Sequence, residues 1–357
     1  MTPSHISSKY DMSVLATNIK TWGKEIGFDY IGITDIELST HEAYLDKWLD
    51  NGMHGEMDYM HKHGSKRSHP EQLVKGTQRV ISVRLDYAPE GINKAEDVLN
   101  KMDTGYISRY ALGRDYHKVM RAKLKKLALK INQEVGDFRY RVFTDSAPVL
   151  EKALAEKAGS GWIGKHSNLI DSKTGSWFFI GELYVDLPLP VDQAASNHCG
   201  SCTSCIDACP TQAIIGPYQV DARLCISYLT IELKKSIPID LRSKMGNRIY
   251  GCDDCQLVCP WNKFAQVTKE PDFTPRGQLT DQKLIDLFAW SEQDFLDNTE
   301  GTAIRRIGYE SWLRNIAVAL GNAKTSKSIV NALKARLPNT SEIVEEHINW
   351  ALQQHIK

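Results

Sequence analysis

Cysteine is missing from most of the chain. None of the 198 residues before Cys199 and none of the 98 after Cys259 is a cysteine, so all eight fall in one window. That excludes a scattered disulfide framework, and in a reducing compartment it points to metal ligation. Net charge is missing too, with 44 Lys and Arg against 44 Asp and Glu. A polyanionic partner must therefore be held by local patches rather than by bulk charge. No apolar run approaches the roughly 18 residues of a membrane span. The opening stretch MTPSHISSKYDMSVLATNIK carries neither a basic-then-apolar leader nor a twin arginine, which predicts a cytoplasmic protein. No exposed apolar stripe is left over for self-association, which predicts a monomer.

What is present fits a soluble globular chain of two or three domains: 357 residues, 42% hydrophobic and 25% charged. Residues 1–195 read as mixed α/β. MSVLATNIKTWGKEIG fits an amphipathic helix, and FDYIGITD, RVISVRLDYAP, FRYRVFTD and SWFFIGELYVDLPLP fit strands. Met120, Leu124, Leu127 and Ile131 form a helical stripe, and PVLEKALAEKAG predicts a helix with Pro148 in its first turn. Residues 196–265 hold the cysteines. From about 280 onward TDQKLIDLFAW, YESWLRNIAVALGN, KSIVNALKARL and SEIVEEHINWALQQH are helical, the last three resembling a pair of α-hairpin repeats.

CGSCTSCIDACP spells C-x2-C-x2-C-x3-C-P from Cys199 through Cys202 and Cys205 to Cys209, the run of bacterial ferredoxins. CDDCQLVCP supplies Cys252, Cys255 and Cys259 of a second run whose first position is Ile249, leaving Cys225 to complete it. Because the fourth thiolate of each run crosses to the other cluster, Cys199, Cys202, Cys205 and Cys259 fall in one set. Cys209, Cys225, Cys252 and Cys255 fall in the other. The spacing predicts two 4Fe–4S clusters; paired C-x2-C motifs also occur in structural zinc sites, but not with this three-residue step before Cys-Pro.

AGSGWIGKHS (158–167) nearly spells a phosphate-binding loop, with Gly159, Gly161 and Gly164 ahead of Lys165. It follows a helix rather than a strand, and His166 stands where a P-loop has Ser or Thr, so nucleotide binding is not predicted. Two readings stay open: a tight helix-to-strand turn, or close approach to a large flat ligand.

FTDSAPVLEKALAEKAGSGWIGKHSNLI, the ferredoxin runs and RLCISYLTIEL together resemble the epoxyqueuosine reductase family over nearly the whole chain. The resemblance implies an α+β protein: a mixed α/β cobalamin domain (1–195), a ferredoxin-like two-cluster domain (196–265) and a helical, HEAT-like domain (266–357). It implies an oxidoreductase that reduces the epoxide of epoxyqueuosine at the tRNA wobble position, using cobalamin, two 4Fe–4S clusters and an external low-potential electron donor. The alternative is a corrinoid iron–sulfur reductase of a small molecule, as in the related reductive dehalogenases, which would predict an export signal and no basic tail.

By the same resemblance the proton donor is Asp145 of the DSAP motif, although Asp145 or Ser146 equally reads as the cap of a helix at Pro148. Donation near neutral pH would require the Asp145 pKa to rise well above about 3.9. The implied cobalamin contacts are Arg67, Arg109, Tyr110, Asp145, Trp162, Gly164, Lys165, Asn168, Ser227 and Tyr228. Asp115-Tyr116-His117 only grazes the corrinoid signature D-x-H-x-x-G, so His117 is not expected to bind cobalt. Residues 101–141 carry a charge balance of +7 and residues 305–336 one of +6, and a basic face of this kind fits an RNA backbone. Arg305, Arg306, Arg314 and Asn315 are the expected tRNA contacts.

Overall fold

The computed structural model describes residues 10–89, 94–277 and 279–356. Most of the first ten residues read for an export signal lie outside that range. Among the described residues no helix is long and apolar enough to cross a membrane.

Four strands make one antiparallel sheet: β1 (Tyr30–Thr34), β2 (Arg79–Asp86), β3 (Tyr140–Phe143) and β4 (Phe178–Val185), in the order β1-β2-β4-β3. Side chains alternate across it. Ile81, Val83, Leu183 and Val185 face α1 (Met12–Ile26) and α3 (Tyr116–Val135), where Met120, Leu124, Leu127 and Ile131 are fully buried, as the stripe predicts. Asp11 caps α1 by accepting from Ser13 and Val14 N–H, and Gly27 ends it in a left-handed turn. The opposite face, with Val80, Phe143 and Tyr184, packs on α4 (Glu151–Lys157), while α2 (Ser39–Asp50) has no buried residue.

α4 begins three residues after Pro148, at Glu151, and its cap residue Leu150 makes no side-chain cap bond. The helix expected from Pro148 is therefore shorter, and Asp145 and Ser146 do not cap it. They occupy a turn with φ of +46° and +37°, left-handed values that are strained for residues bearing a β-carbon.

The cysteine region is built from one-turn helices, Ser204–Asp207 and Asp254–Leu257, and from a π-turn at Tyr228–Glu232. Beyond it come α5 (Leu284–Ala289), α6 (Glu292–Asn298), α7 (Gly308–Asn322), α8 (Lys327–Arg336) and α9 (Glu342–Gln354). α7 packs on α9 and is buried without a break from Ser311 to Gly321. One apolar core runs from Ile107 through Leu229 and Ile249 to Ala351, across the expected boundary at 265. Strand Arg248–Tyr250 also pairs with Tyr106–Ile107, so the cysteine region is tied to both sides of the molecule.

Candidate functional site

The two ferredoxin runs converge as their spacing predicts. Cys205 lies in the electrostatic reach of Cys259, Cys199 and Cys202, and Cys255 in that of Cys225 and Cys209, with Cys205 bridging the two groups. All eight are free thiols. Among the described residues no three cysteine sulfurs lie within 4.8 Å of one another. The C-x2-C-x2-C-x3-C-P run speaks for iron–sulfur cubanes rather than zinc.

Residues 158–168 serve this centre. The Trp162 indole N–H donates to Cys199 Sγ at 3.4 Å, and Lys165 Nζ donates to the carbonyls of Gly200 and Cys202 at 2.7 and 2.9 Å. Gly164 N–H donates to Asn168 O and closes the hairpin. Gly159 has φ +79°, and a β-carbon there would stand 2.6 Å from Gln193 O. Gly159 and Gly161 thus admit the protein's own backbone and Gly164 the Ile170 side chain, which accords with the tight-turn reading of this loop. Trp162, Gly164, Lys165 and Asn168 are turned to the clusters and to the hairpin.

Asp145 stands at the centre of a second constellation. Its carboxylate accepts from the Tyr116 hydroxyl and from Ser146 N–H, and lies 3.4 Å from His117 Nε2. His117 Nδ1 is 2.7 Å from Asp115 Oδ1, while Arg306 reaches His117 Nε2 at 3.0 Å and Asp115 Oδ2 at 3.3 Å. Both imidazole nitrogens are thus engaged within the protein. Burial pushes the Asp145 pKa up, but hydrogen bonds from His117, Tyr116 and Ser146 N–H outweigh it and hold the carboxyl well below its ordinary range. The expected rise is therefore reversed in this arrangement. Burial lowers the His117 pKa, but hydrogen bonds to Asp115 and Asp145 prevail and raise it above 6.5. The acid proton of the site accordingly rests on the imidazole side, with the Asp145 side chain 57% exposed.

The remaining expected residues divide. Arg109 is buried over the Tyr106 ring, yet its Nε and Nη2 have no partner among the described residues. An orphaned guanidinium of that kind fits a polar ligand. Tyr110 donates to the Tyr250 hydroxyl at 3.2 Å and its ring meets that of Tyr116. Arg67 bonds the carbonyls of Tyr59, Met60 and Ala147, and so braces the DSAP turn. Tyr228 accepts from Glu56 N–H at 2.9 Å, and half-buried Ser227 precedes it at the π-turn.

Arg305 and Arg306 are both exposed, and Arg306 also reaches Asp115 and His117. Arg314 and Asn315 are fully buried: Arg314 holds the carbonyls of Leu229, Leu233 and Lys235, and Asn315 those of Thr230 and Ile249. They cannot reach an RNA backbone from there, which corrects that expectation. Sequence reasoning missed Tyr116 and Arg306 as neighbours of Asp145. It also missed Glu232, which meets the Tyr59 hydroxyl beside the same turn. Only the Asp-Tyr-His run opening α3 gave a local signal.

Residues 67–146 match the family described as epoxyqueuosine reductase QueG, DUF1730, and residues 198–262 match a 4Fe-4S double cluster binding domain. The epoxyqueuosine reductase of Pseudomonas aeruginosa is 57% identical over 359 residues, covering 99% of each chain. That of Escherichia coli is 55% identical over 352 residues, covering 99% of this chain and 92% of the relative. The structure of epoxyqueuosine reductase from Bacillus subtilis, solved with its catalytic aspartate loop swung out of the active site, superposes with a TM-score of 0.89. It is 28% identical and covers 97% of this chain and 91% of its own. An epoxyqueuosine reductase solved with an epoxyqueuosine-modified tRNA-Tyr stem loop superposes with a TM-score of 0.83 at 26% identity, covering 97% of this chain and 100% of its own.

Proposed function

The chain belongs to the epoxyqueuosine reductase family, and on that premise we propose that it reduces the epoxide of epoxyqueuosine in tRNA to the alkene of queuosine. The full-length identity of 55–57% to epoxyqueuosine reductases carries this reading. The reaction takes two electrons and two protons: both bonds to the epoxide oxygen break, the oxygen leaves as water and a carbon–carbon double bond forms. Electrons from an external donor enter through the two 4Fe–4S clusters, one on Cys199, Cys202, Cys205 and Cys259 and the other on Cys209, Cys225, Cys252 and Cys255. In this reading residues 1–195 hold cobalamin and substrate, 196–265 the clusters, and 266–357 contribute tRNA contacts. A cytoplasmic location suits a tRNA substrate.

Cobalamin, when bound, supplies a centre that delivers two electrons at carbon. Arg109, with two unsatisfied buried nitrogens, and Tyr110 beside it are the residues suited to hold it. Asp145 is the donor to the departing oxygen. Its carboxylate relays to that oxygen a proton taken from His117 Nε2, the atom 3.4 Å away that carries the site's acid proton, and Arg306 stands beside that nitrogen once the proton has left. Arg67 keeps the turn in place from behind. Arg305 lies on the exposed basic side, where it can meet phosphate.

The test is anaerobic. Protein reconstituted with iron, sulfide and cobalamin is given a low-potential reductant and tRNA carrying epoxyqueuosine, and the released nucleosides are weighed. Loss of one oxygen, dependent on corrinoid and abolished in Asp145→Ala, is the expected outcome. An unchanged nucleoside, with clusters intact and cobalamin bound, would overturn the tRNA assignment in favour of a small-molecule substrate.

A further inference from the structure

Glu182 is a carboxyl that the proposed reaction leaves unused. It lies in the middle of β4, opposite Ser82 on β2 and Phe143 on β3, and has no exposed surface. Alternation along the strand puts it on the face of Ile180 and Tyr184, toward α4. There it meets the carboxyl of Glu151, the first residue of that helix. Neither oxygen of Glu182 has a donor among the described residues. Two carboxylates offer only acceptors, so their contact is a hydrogen bond only when one carries a proton. Burial and the charge of Asp145 push Glu151 up to about 7 against the hydrogen bond from Glu182, while burial and the charge of Glu151 push Glu182 well above the ordinary carboxylate range.

The other end of Glu151 touches the proton donor's backbone, since its Oε1 accepts the N–H of Asp145. That N–H belongs to the turn whose left-handed φ values at Asp145 and Ser146 need outside support. Arg67, on Ala147 O at 3.4 Å, and Arg121, on Ser146 Oγ at 2.9 Å, are its other ties.

We infer that Glu151 and Glu182 share one proton as an acid–carboxylate pair, and that this pair is the latch that positions Asp145. The inference rests on the reading of Asp145 as the donor. With its proton, Glu182 donates to Glu151 and fixes the oxygen that holds Asp145 N–H. Without it, two like charges repel in a dry site, Glu151 swings off its half-buried end, and the strained turn loses its tie. Both glutamates are positioning residues, touching neither substrate nor cofactor. The groups facing them are Asp145 on the turn, Tyr116 and His117 at the start of α3, Arg67, Lys152 on α4, and Tyr184 on β4. Because the pair's pKa values are raised, the latch is intact at low pH and lost as pH rises through the folded values.

The experiment uses the cluster-loaded protein without substrate, so it is independent of the tRNA assay. Infrared spectra at neutral pH should show the carbonyl stretch of a buried protonated carboxyl, lost in Glu182→Gln and shifted in frequency in Glu151→Gln, where the proton's carboxylate partner is gone. Hydrogen exchange of the peptide spanning 140–150, corrected for intrinsic rate, should lose protection as pH rises in the wild type. In Glu182→Gln, whose amide donates at every pH, protection should stay constant. Absence of the carbonyl band in the wild type, or the same pH dependence in both proteins, would overturn the latch. A failed tRNA assay alongside a present band and a pH-dependent turn would instead remove the functional reading.

Discussion

His117 Nε2 stands 3.4 Å from Asp145 Oδ2, while the same ring's Nδ1 is held 2.7 Å from Asp115 Oδ1. One imidazole thus links a buried carboxylate to an exposed one, and the pKa values of His117 and Asp145 are shifted in opposite directions. The raised pKa of His117 means its contribution is full at low pH and is lost as pH rises through the folded value. The depressed pKa of Asp145 means its contribution is present above the ordinary carboxylate value and lost on acidification. Their ion pair is whole only between those limits.

Asp145→Ala should therefore lower the His117 pKa, since a hydrogen bond that favours the imidazolium disappears while burial and Arg306 still oppose it. NMR titration of 13C-labelled histidine reads this directly. Turnover of the variant should fall by roughly a hundred- to ten-thousand-fold, the usual worth of a positioned acid. An imidazole titration that does not move would place His117 outside the field of Asp145 and break the relay.

Arg109 and Lys165 were both expected at cobalamin, and the structure separates them. Lys165 is spent on Gly200 O and Cys202 O, and Arg109 keeps two buried nitrogens unpaired. Arg109→Ala should weaken cobalamin binding, measured by titration of the corrinoid absorbance, and leave cluster content unchanged. Lys165→Ala should do the reverse, speeding loss of iron from the first cluster under chelator. Equal corrinoid affinity in wild type and Arg109→Ala would remove Arg109 from that site.

Local order was legible in the sequence wherever local chemistry decides it. Asp11 and Gly27 bracket α1, and the apolar stripe of α3 is fully buried. The convergence around Asp145 was not legible, because it is made by the tertiary fold. Arg306 meets His117 across 189 residues of chain, and no spacing rule connects them. The helix expected at Pro148 failed for a related reason: the DSAP turn is held by Arg67 and Glu151 rather than by helix propensity. Arg314 misled because a charge count does not say which side of a helix is buried, and α7 is buried all round.

The two cluster sets differ in exposure, and this orders their loss. The first set contains the one exposed cysteine, Cys202, beside buried Cys205 and Cys259, whereas Cys209, Cys225, Cys252 and Cys255 are all partly buried, so Cys202 is the thiolate a chelator reaches first. A chelator should first strip the cluster held by Cys199, Cys202, Cys205 and Cys259, giving an intermediate with about half the iron and sulfide. Cys202→Ser should be isolated directly in that half-loaded form, and electron transfer from a soluble reductant should slow in it. Simultaneous loss of both clusters, followed by iron content and EPR, would contradict the assignment.

Arg305 and Arg314 lie nine residues apart in the same basic stretch and should behave as opposites. Arg314→Ala strips donors from the buried carbonyls of Leu229 and Leu233, each costing about 1–3 kcal/mol when left unpaired, and from the partly buried carbonyl of Lys235. Thermal unfolding should move down by several degrees, with tRNA affinity of the folded fraction little changed. Arg305 is exposed, and Arg305→Ala should leave the unfolding temperature alone. If it meets a phosphate, its loss should weaken tRNA binding and reduce the slope of log affinity against log salt by about one. An unaltered salt slope would move the RNA-facing surface away from Arg305, toward the lysines of α3, Lys118, Lys125 and Lys126, which are exposed on the other basic stretch.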